Sequence, residues 1–435
     1  PARQRATLQF QGDSVIVQVE GGPTQRLAAQ RGAFPFINPS FALVELVVAR
    51  AVRLGEPRVT LPAFAVQGGQ SFAISVARLG PDSVLINIAG APARLRVDAA
   101  GRILGGSVAA QNLRITRGPD TGASFSLEPP NYDAPSGAPY AAVPVEVPTP
   151  AGHSLAGTLT LPSGASATSR VPAVVTITGS GLQDRDGAIP TVAGYRPFRQ
   201  LADTLGRHGI AMLRMDDRGF GASGGDPANA TSRDFADDIR AALAWLRARP
   251  EIDPSRLVLV GHSEGGLIAP LVAATDSSLA AMVLLAGPAH TGRRILAFQQ
   301  RAAIERAPGF TPSQRDSLIE VSRLATDSLA RRSAWLREFL DHDPLPTARM
   351  VRRTPVLIVQ GGTDLQVTAD QAPELEAAFR AGGNRDVTMR VFPEANHLLI
   401  QDPKGDPELY MTLKHRAVRS DILGAVLDWL RVKLR

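Results

Sequence analysis

The stretch that decides the fold is Leu257-Val-Leu-Val-Gly-His-Ser-Glu-Gly-Gly266, followed by Leu267-Ile-Ala-Pro-Leu-Val-Ala-Ala274. Four apolar residues of strand character run into G-x-S-x-G and then into sequence compatible with a helix. A strand passing directly into a helix must turn sharply, and the residue at the turn is held in a strained backbone conformation. Gly261 and Gly265, two positions on either side of Ser263, remove Cβ atoms that would block the turn. The Ser263 hydroxyl is thereby presented at the C-terminal edge of a sheet. A bare G-x-S-x-G is a weak signal, but set between an apolar strand and a helix it is a strong one.

Working outward, further apolar, β-branched runs occur at residues 173–178, 211–215, 282–285, 356–359 and 388–392. Helical patterns separate most of them, for example at 195–208 and 234–248. Short apolar strands alternating with helices imply a mostly parallel sheet covered on both faces, so the class is α/β. Residues 143–147 and 154–161 read as an antiparallel hairpin leading into that sheet. The segment from 292 to about 353 breaks the rhythm, being long and almost wholly helical. It falls between two strands, where a lid over an active site would sit.

The first 125 residues follow a different pattern. Residues 7–10, 14–19, 71–77, 83–88, 93–97 and 112–116 alternate apolar and polar positions with Gly, Pro or Asp between them, and 41–54 has the pattern of a helix. Pro119, Pro129, Pro130, Pro135 and Pro139 then mark a linker. The expected organisation is a β-rich domain at 1–125, a Pro-rich linker at 126–140 and an α/β domain at 141–435 with a helical cap at about 292–353. Length agrees, since 435 residues correspond to about two to three domains.

Serine at its free pKa is a weak nucleophile, so it needs a base, and the base needs an orienting acid. Residues 356–360 lead into Gly361-Gly-Thr-Asp364, and residues 388–392 into Pro393-Glu-Ala-Asn-His397. Both follow strand ends, where loops can converge. Asp364 is preferred over Glu394, which lies only three residues before His397. His262 is expected to point away from Ser263. Acyl chemistry also needs donors for a developing oxyanion. The N–H of Glu264 is one, and Ser180 is the first choice for the other, ahead of Gly181 and Leu182, in the loop Gly179-Ser-Gly-Leu182.

These residues carry a resemblance. The chain from about 141 onward resembles the α/β-hydrolase superfamily. The set Gly179-Ser-Gly-Leu-Gln-Asp-Arg-Asp-Gly187, Asp216-Asp-Arg-Gly-Phe-Gly-Ala-Ser223 and Gly261-His-Ser-Glu-Gly-Gly266 is similar to bacterial carboxylesterases of the cinnamoyl/feruloyl-esterase-like and acyl-thioesterase-like branch. The resemblance implies an α/β-hydrolase fold with a triad of Ser263, Asp364 and His397. It implies a structural role for Asp217 and Arg218, which would fix the turn after the fourth strand. Thr178 stands where the commoner form of the oxyanion loop has His. Of the two readings of the run 183–186, a salt-bridged brace for the loop is preferred to a substrate contact.

The expected activity is hydrolysis of small-molecule carboxylic esters with small to medium acyl chains, without metal or cofactor. Leu182 and Trp335 are expected against the substrate, with Leu336, Phe339 and Leu340 packing near Trp335. An acyl thioesterase, a prolyl-oligopeptidase-like peptidase and a non-catalytic binding relative are the alternatives. Formal net charge is +6, and all basic residues except Lys404, Lys414 and Lys433 are arginine. They are spread along the chain, so no nucleic-acid partner is expected. No apolar run is long enough to span a membrane. The absence of cysteine excludes disulfides and a thiol nucleophile. The chain opens at Pro1 without Met, which fits export after removal of a signal peptide; a cytoplasmic location is the alternative expectation.

Overall fold

The computed structural model describes residues 6–19, 24–37, 41–66, 69–88, 91–108, 113–118, 130–189, 192–307 and 310–435. The chain divides into two compact units. One comprises Glu128–Gln299 and Ala325–Arg435, the other Ala2–Leu127 and Gln300–Leu324. Part of the segment read as a cap on the α/β domain therefore groups with the N-terminal residues. Residues 126–129 of the linker expected at 126–140 and residue 112 of the strand expected at 112–116 lie outside the described residues.

In the N-terminal unit, β1 (Ala6–Gln11), β2 (Ser14–Val19) and β3 (Thr24–Ala28) form an antiparallel three-stranded sheet. A second sheet of seven strands contains β4 (Phe34–Phe36), β5 (Arg58–Ala65), β6 (Gln70–Gly80), β7 (Ser83–Ile88), β8 (Ala91–Val97), β9 (Ile103–Val108) and β10 (Leu113–Thr116). Their order is β10-β9-β8-β7-β6-β5-β4, antiparallel except for the β4–β5 pair. Helix α1 (Phe41–Leu54) buries Val44, Val47, Val48 and Ala51, one face at the i, i+3, i+4, i+7 spacing. That face joins Leu61, Ile74, Ile86 and Leu95 in the unit's core.

In the other unit, eight strands form one sheet: β11 (Tyr140–Pro148), β12 (Ser154–Pro162), β13 (Val171–Ile177), β14 (Ala211–Met215), β15 (Ile252–His262), β16 (Ala281–Leu285), β17 (Val356–Gly361) and β18 (Val387–Phe392). Their order is β11-β12-β14-β13-β15-β16-β17-β18. The hairpin β11–β12 and the β12–β14 pair are antiparallel, and the remaining pairs are parallel. Helices α2 (Pro197–Gly206), α3 (Ser232–Arg247), α4 (Glu264–Ala273), α5 (Gly292–Arg306), α6 (Pro312–Ala330), α7 (Ala334–Asp341), α8 (Pro344–Met350), α9 (Gln371–Ala381) and α10 (Ser420–Lys433) follow in chain order, and the end of α5 and most of α6 group with the N-terminal unit.

The apolar runs are continuous because each strand feeds two cores. On β15, Leu257 and Leu259 pack with α3, α4 and α9, whereas Val258 and Val260 pack with α2 and α10. The period-2 alternation of a strand thus divides one run between two faces. Among the described residues, no helix is long and apolar enough to cross a membrane.

Candidate active site

Ser263 sits between β15 and α4 with φ 54° and ψ −119°, the strained turn expected of a residue that ends a strand and starts a helix. The flanking glycines are required by backbone approach. A Cβ on Gly261 would lie 2.0 Å from the carbonyl oxygen of Gly265, and one on Gly265 would lie 2.3 Å from that of Ile177. The hydroxyl emerges at the C-terminal edge of the sheet, half-buried.

Two loops from that edge meet it. Ser263 Oγ lies 3.0 Å from His397 Nε2, and His397 Nδ1 donates to Asp364 Oδ2 at 2.8 Å. Asp364 is itself held. Its Oδ1 accepts the amides of Gln366 and Val367 at 2.7 and 2.9 Å, and its Oδ2 accepts Gln360 Nε2 at 3.0 Å. Glu394, the acid placed second, is exposed and bonds to Gln401 instead. Gln360, buried at the end of β17, is a positioning group that the sequence reading missed.

His262 is packed beside the triad and makes no hydrogen bond to Ser263 among the described residues. Its ring is 5.0 Å from that of His397, and its Nε2 donates to the His397 carbonyl at 3.0 Å. Burial pushes its pKa down to about 4, so the ring stays neutral and braces the His397 loop.

The loop after β13 is tied down by its acidic neighbours. Thr178 Oγ1 donates to Asp217 Oδ1 at 2.7 Å, and the Gln183 amide donates to Asp217 Oδ2 at 2.8 Å. Arg185 grips Asp216 through Nε and Nη2 at 3.0 and 2.7 Å and reaches the Gly157 carbonyl. Asp186 pairs with buried Arg214. Arg218 closes on Asp238 at 2.7 and 2.8 Å. The run 183–186 is thus a salt-bridged brace. Thr178, in place of His, supplies one of its hydrogen bonds.

Gly179 and Ser180 border the cleft that holds Ser263 and His397, a space of about 200 Å³. Gly181 and Leu182 border a separate, neighbouring cavity. Among the described residues the amides of Glu264, Ser180, Gly181 and Leu182 donate to no other group. Those of Glu264 and Ser180 belong to residues on the cleft.

The lid contributes Trp335 and Phe339, whose rings stack 5.4 Å apart and line the cleft. Leu336, Phe339 and Leu340 form a small core with Ala330 and Leu296. The Trp335 indole N–H donates to Glu264 Oε1 at 2.8 Å, and Ser232 Oγ donates to the same oxygen at 2.7 Å. Burial pushes the Glu264 carboxyl up, against the hydrogen bonds from Ser232, Trp335 and Ser180. The sequence assigned only the backbone of Glu264; its side chain was unforeseen.

The sheet order, the Ser263 elbow and the loops converging at the C-terminal edge are those of the α/β-hydrolase fold. Residues 194–404 match the family model described as serine aminopeptidase, S33. An uncharacterized protein of Mycobacterium tuberculosis is 32% identical over 187 residues, 43% of this chain and 54% of that one. The polyketide transferase grgF of Penicillium is 31% identical over 121 residues, 28% of this chain and 38% of its own. The chain thus spans about half or less of the length of these curated relatives. Among solved structures, an esterase of Pyrococcus furiosus overlays with a TM-score of 0.47 at 17% identity, covering 72% of this chain and all of that one.

Proposed function

We propose that the protein is a serine esterase that cleaves carboxylic esters of small to medium acyl chains through an acyl-enzyme on Ser263. The observation that carries this reading is the hydrogen-bonded series Ser263 Oγ, His397 Nε2, His397 Nδ1, Asp364 Oδ2, at 3.0 and 2.8 Å. His397 removes the Ser263 proton as the hydroxyl attacks the acyl carbonyl, and the amides of Glu264 and Ser180 receive the oxyanion. His397 then passes that proton to the leaving alcohol. Water, deprotonated by the same ring, attacks the acyl carbon, and the proton returns to Ser263 as the acid leaves. Asp364 fixes the imidazole tautomer and stabilises the cation formed in each half. Gln360 and the amides of Gln366 and Val367 hold Asp364 in the orientation this needs.

The test is hydrolysis of p-nitrophenyl esters from acetate to dodecanoate by the wild type and Ser263→Ala. Turnover that falls by about four orders of magnitude or more in the variant is expected. A folded wild type that hydrolyses none of these esters overturns the reading. The description of the matched family as an aminopeptidase favours a second reading, amide cleavage, which aminoacyl p-nitroanilides in the same assay would reveal.

A further inference from the structure

Beside the cleft lies the neighbouring cavity, of about 360 Å³. Leu155 and Met215 from the sheet, Phe235 and Ile239 from α3 and Ile268 from α4 give it an apolar interior. Gly179, Glu264 and Trp335 line both spaces, whereas Ser263, His262 and His397 line only the cleft. Its size and lining suit a small organic group.

The charged residues on its wall differ in kind. Asp216 is closed onto Arg185, and Asp238 onto Arg218. The Asp217 and Glu264 carboxylates instead accept only from hydroxyl, amide and indole donors, with no arginine or lysine paired to either among the described residues. Glu264 is buried and Asp217 half-buried, and a carboxylate withdrawn from water without a cation is relieved by protonation or by a positive partner. Burial pushes the Asp217 carboxyl up to about 7, opposed by Thr178 and Gln183 and assisted by the nearby charge of Glu264. An apolar space with two such carboxylates is complementary to an apolar group that carries positive charge.

The direction of entry follows from the ester chemistry proposed above, on which this inference rests. The leaving alcohol must sit against His397 Nε2 to take its proton. The cavity meets the cleft at Gly179 and Glu264, and His397 is not on its wall. The acyl side of the substrate is the side that points there. We propose that this cavity is the acyl-arm subsite, and that it selects apolar acyl chains bearing a protonated amine at the far end, several bonds from the scissile carbonyl. Trp335, held by its hydrogen bond to Glu264, stands with Gly179 and Glu264 on the wall that the two spaces share.

Calorimetric titration of the full chain carrying Ser263→Ala with n-hexylammonium and with n-hexanol reads this selection without turnover. The ammonium should bind about tenfold more tightly or better, and adding Asp217→Asn should erase the difference. Adding Ala228→Trp, at the exposed wall of the cavity, should weaken both ligands by about tenfold or more. Hexanol binding as tightly as hexylammonium, or both binding unchanged in the protein carrying Ala228→Trp, overturns the proposal. In turnover by the wild type, kcat/KM for p-nitrophenyl 6-aminohexanoate should exceed that for the heptanoate by about tenfold. The excess should vanish in Asp217→Asn. Equal or slower turnover of the amino ester also overturns the proposal. If no ester is turned over, the esterase reading falls while the titration still decides the subsite.

Discussion

In the eight-stranded sheet, β13, β16 and β17 are buried along nearly their whole length, whereas β5 and β7 of the seven-stranded sheet alternate between buried and more exposed residues. The first sheet is mostly parallel, so successive strands end at the same edge and the loops after β13, β15, β17 and β18 accumulate there. That edge holds Gly179, Ser263, Asp364 and His397. The second sheet is almost wholly antiparallel, and its hairpins fall at both edges in turn. One topology gathers polar side chains from distant parts of the sequence; the other disperses its loops and contributes a packed core. The difference teaches that strand direction, more than strand composition, decides where chemistry can assemble.

Paired substitutions sharpen this contrast. His397→Ala should lower kcat/KM by about four orders of magnitude while changing unfolding free energy by only about 1 kcal/mol. Ile86→Ala, which removes a fully buried side chain from the seven-stranded sheet, should cost about 2–5 kcal/mol of stability. Its turnover per folded molecule should be that of the wild type. Ester kinetics and denaturant titrations on both proteins check this, and a folded Ile86→Ala protein as inactive as His397→Ala would break the division of labour.

A smaller effect concerns pH. With the native pKa of Asp217 at about 7 against 3.8 for the free group, the folded state binds more protons than the unfolded state between these values. Stability contributed by this group therefore falls as pH rises through that window. Asp217→Asn removes this part of the slope. Denaturation at about pH 5 and pH 8 should show the wild type losing stability relative to the variant on going upward. Parallel pH profiles for the two proteins would mean that Asp217 is not desolvated.

Much of the C-terminal half was legible because its signals are local. The buried strands read as unbroken apolar runs, and Ser263, Asp364 and His397 each follow such a run within a few residues. Four N-terminal strands escaped: β3 and β4 are short, β5 carries Pro62 and β9 carries Gly105 and Gly106. Pairing with neighbouring strands overrides their weak propensity. The partners of Glu264 were hidden for another reason. Ser232 and Trp335 lie 32 and 71 positions away, and only the folded lid brings the indole to the carboxylate. Gln360 was invisible because it looks like one more residue of a buried strand.

Whether Ser263 is an activated nucleophile is decided by covalent labelling with a fluorophosphonate followed by peptide mass mapping. Rapid modification at a single residue, Ser263, is expected, with loss of that labelling in His397→Ala. A folded wild-type protein that stays unlabelled, or that carries the adduct on another serine, would contradict it.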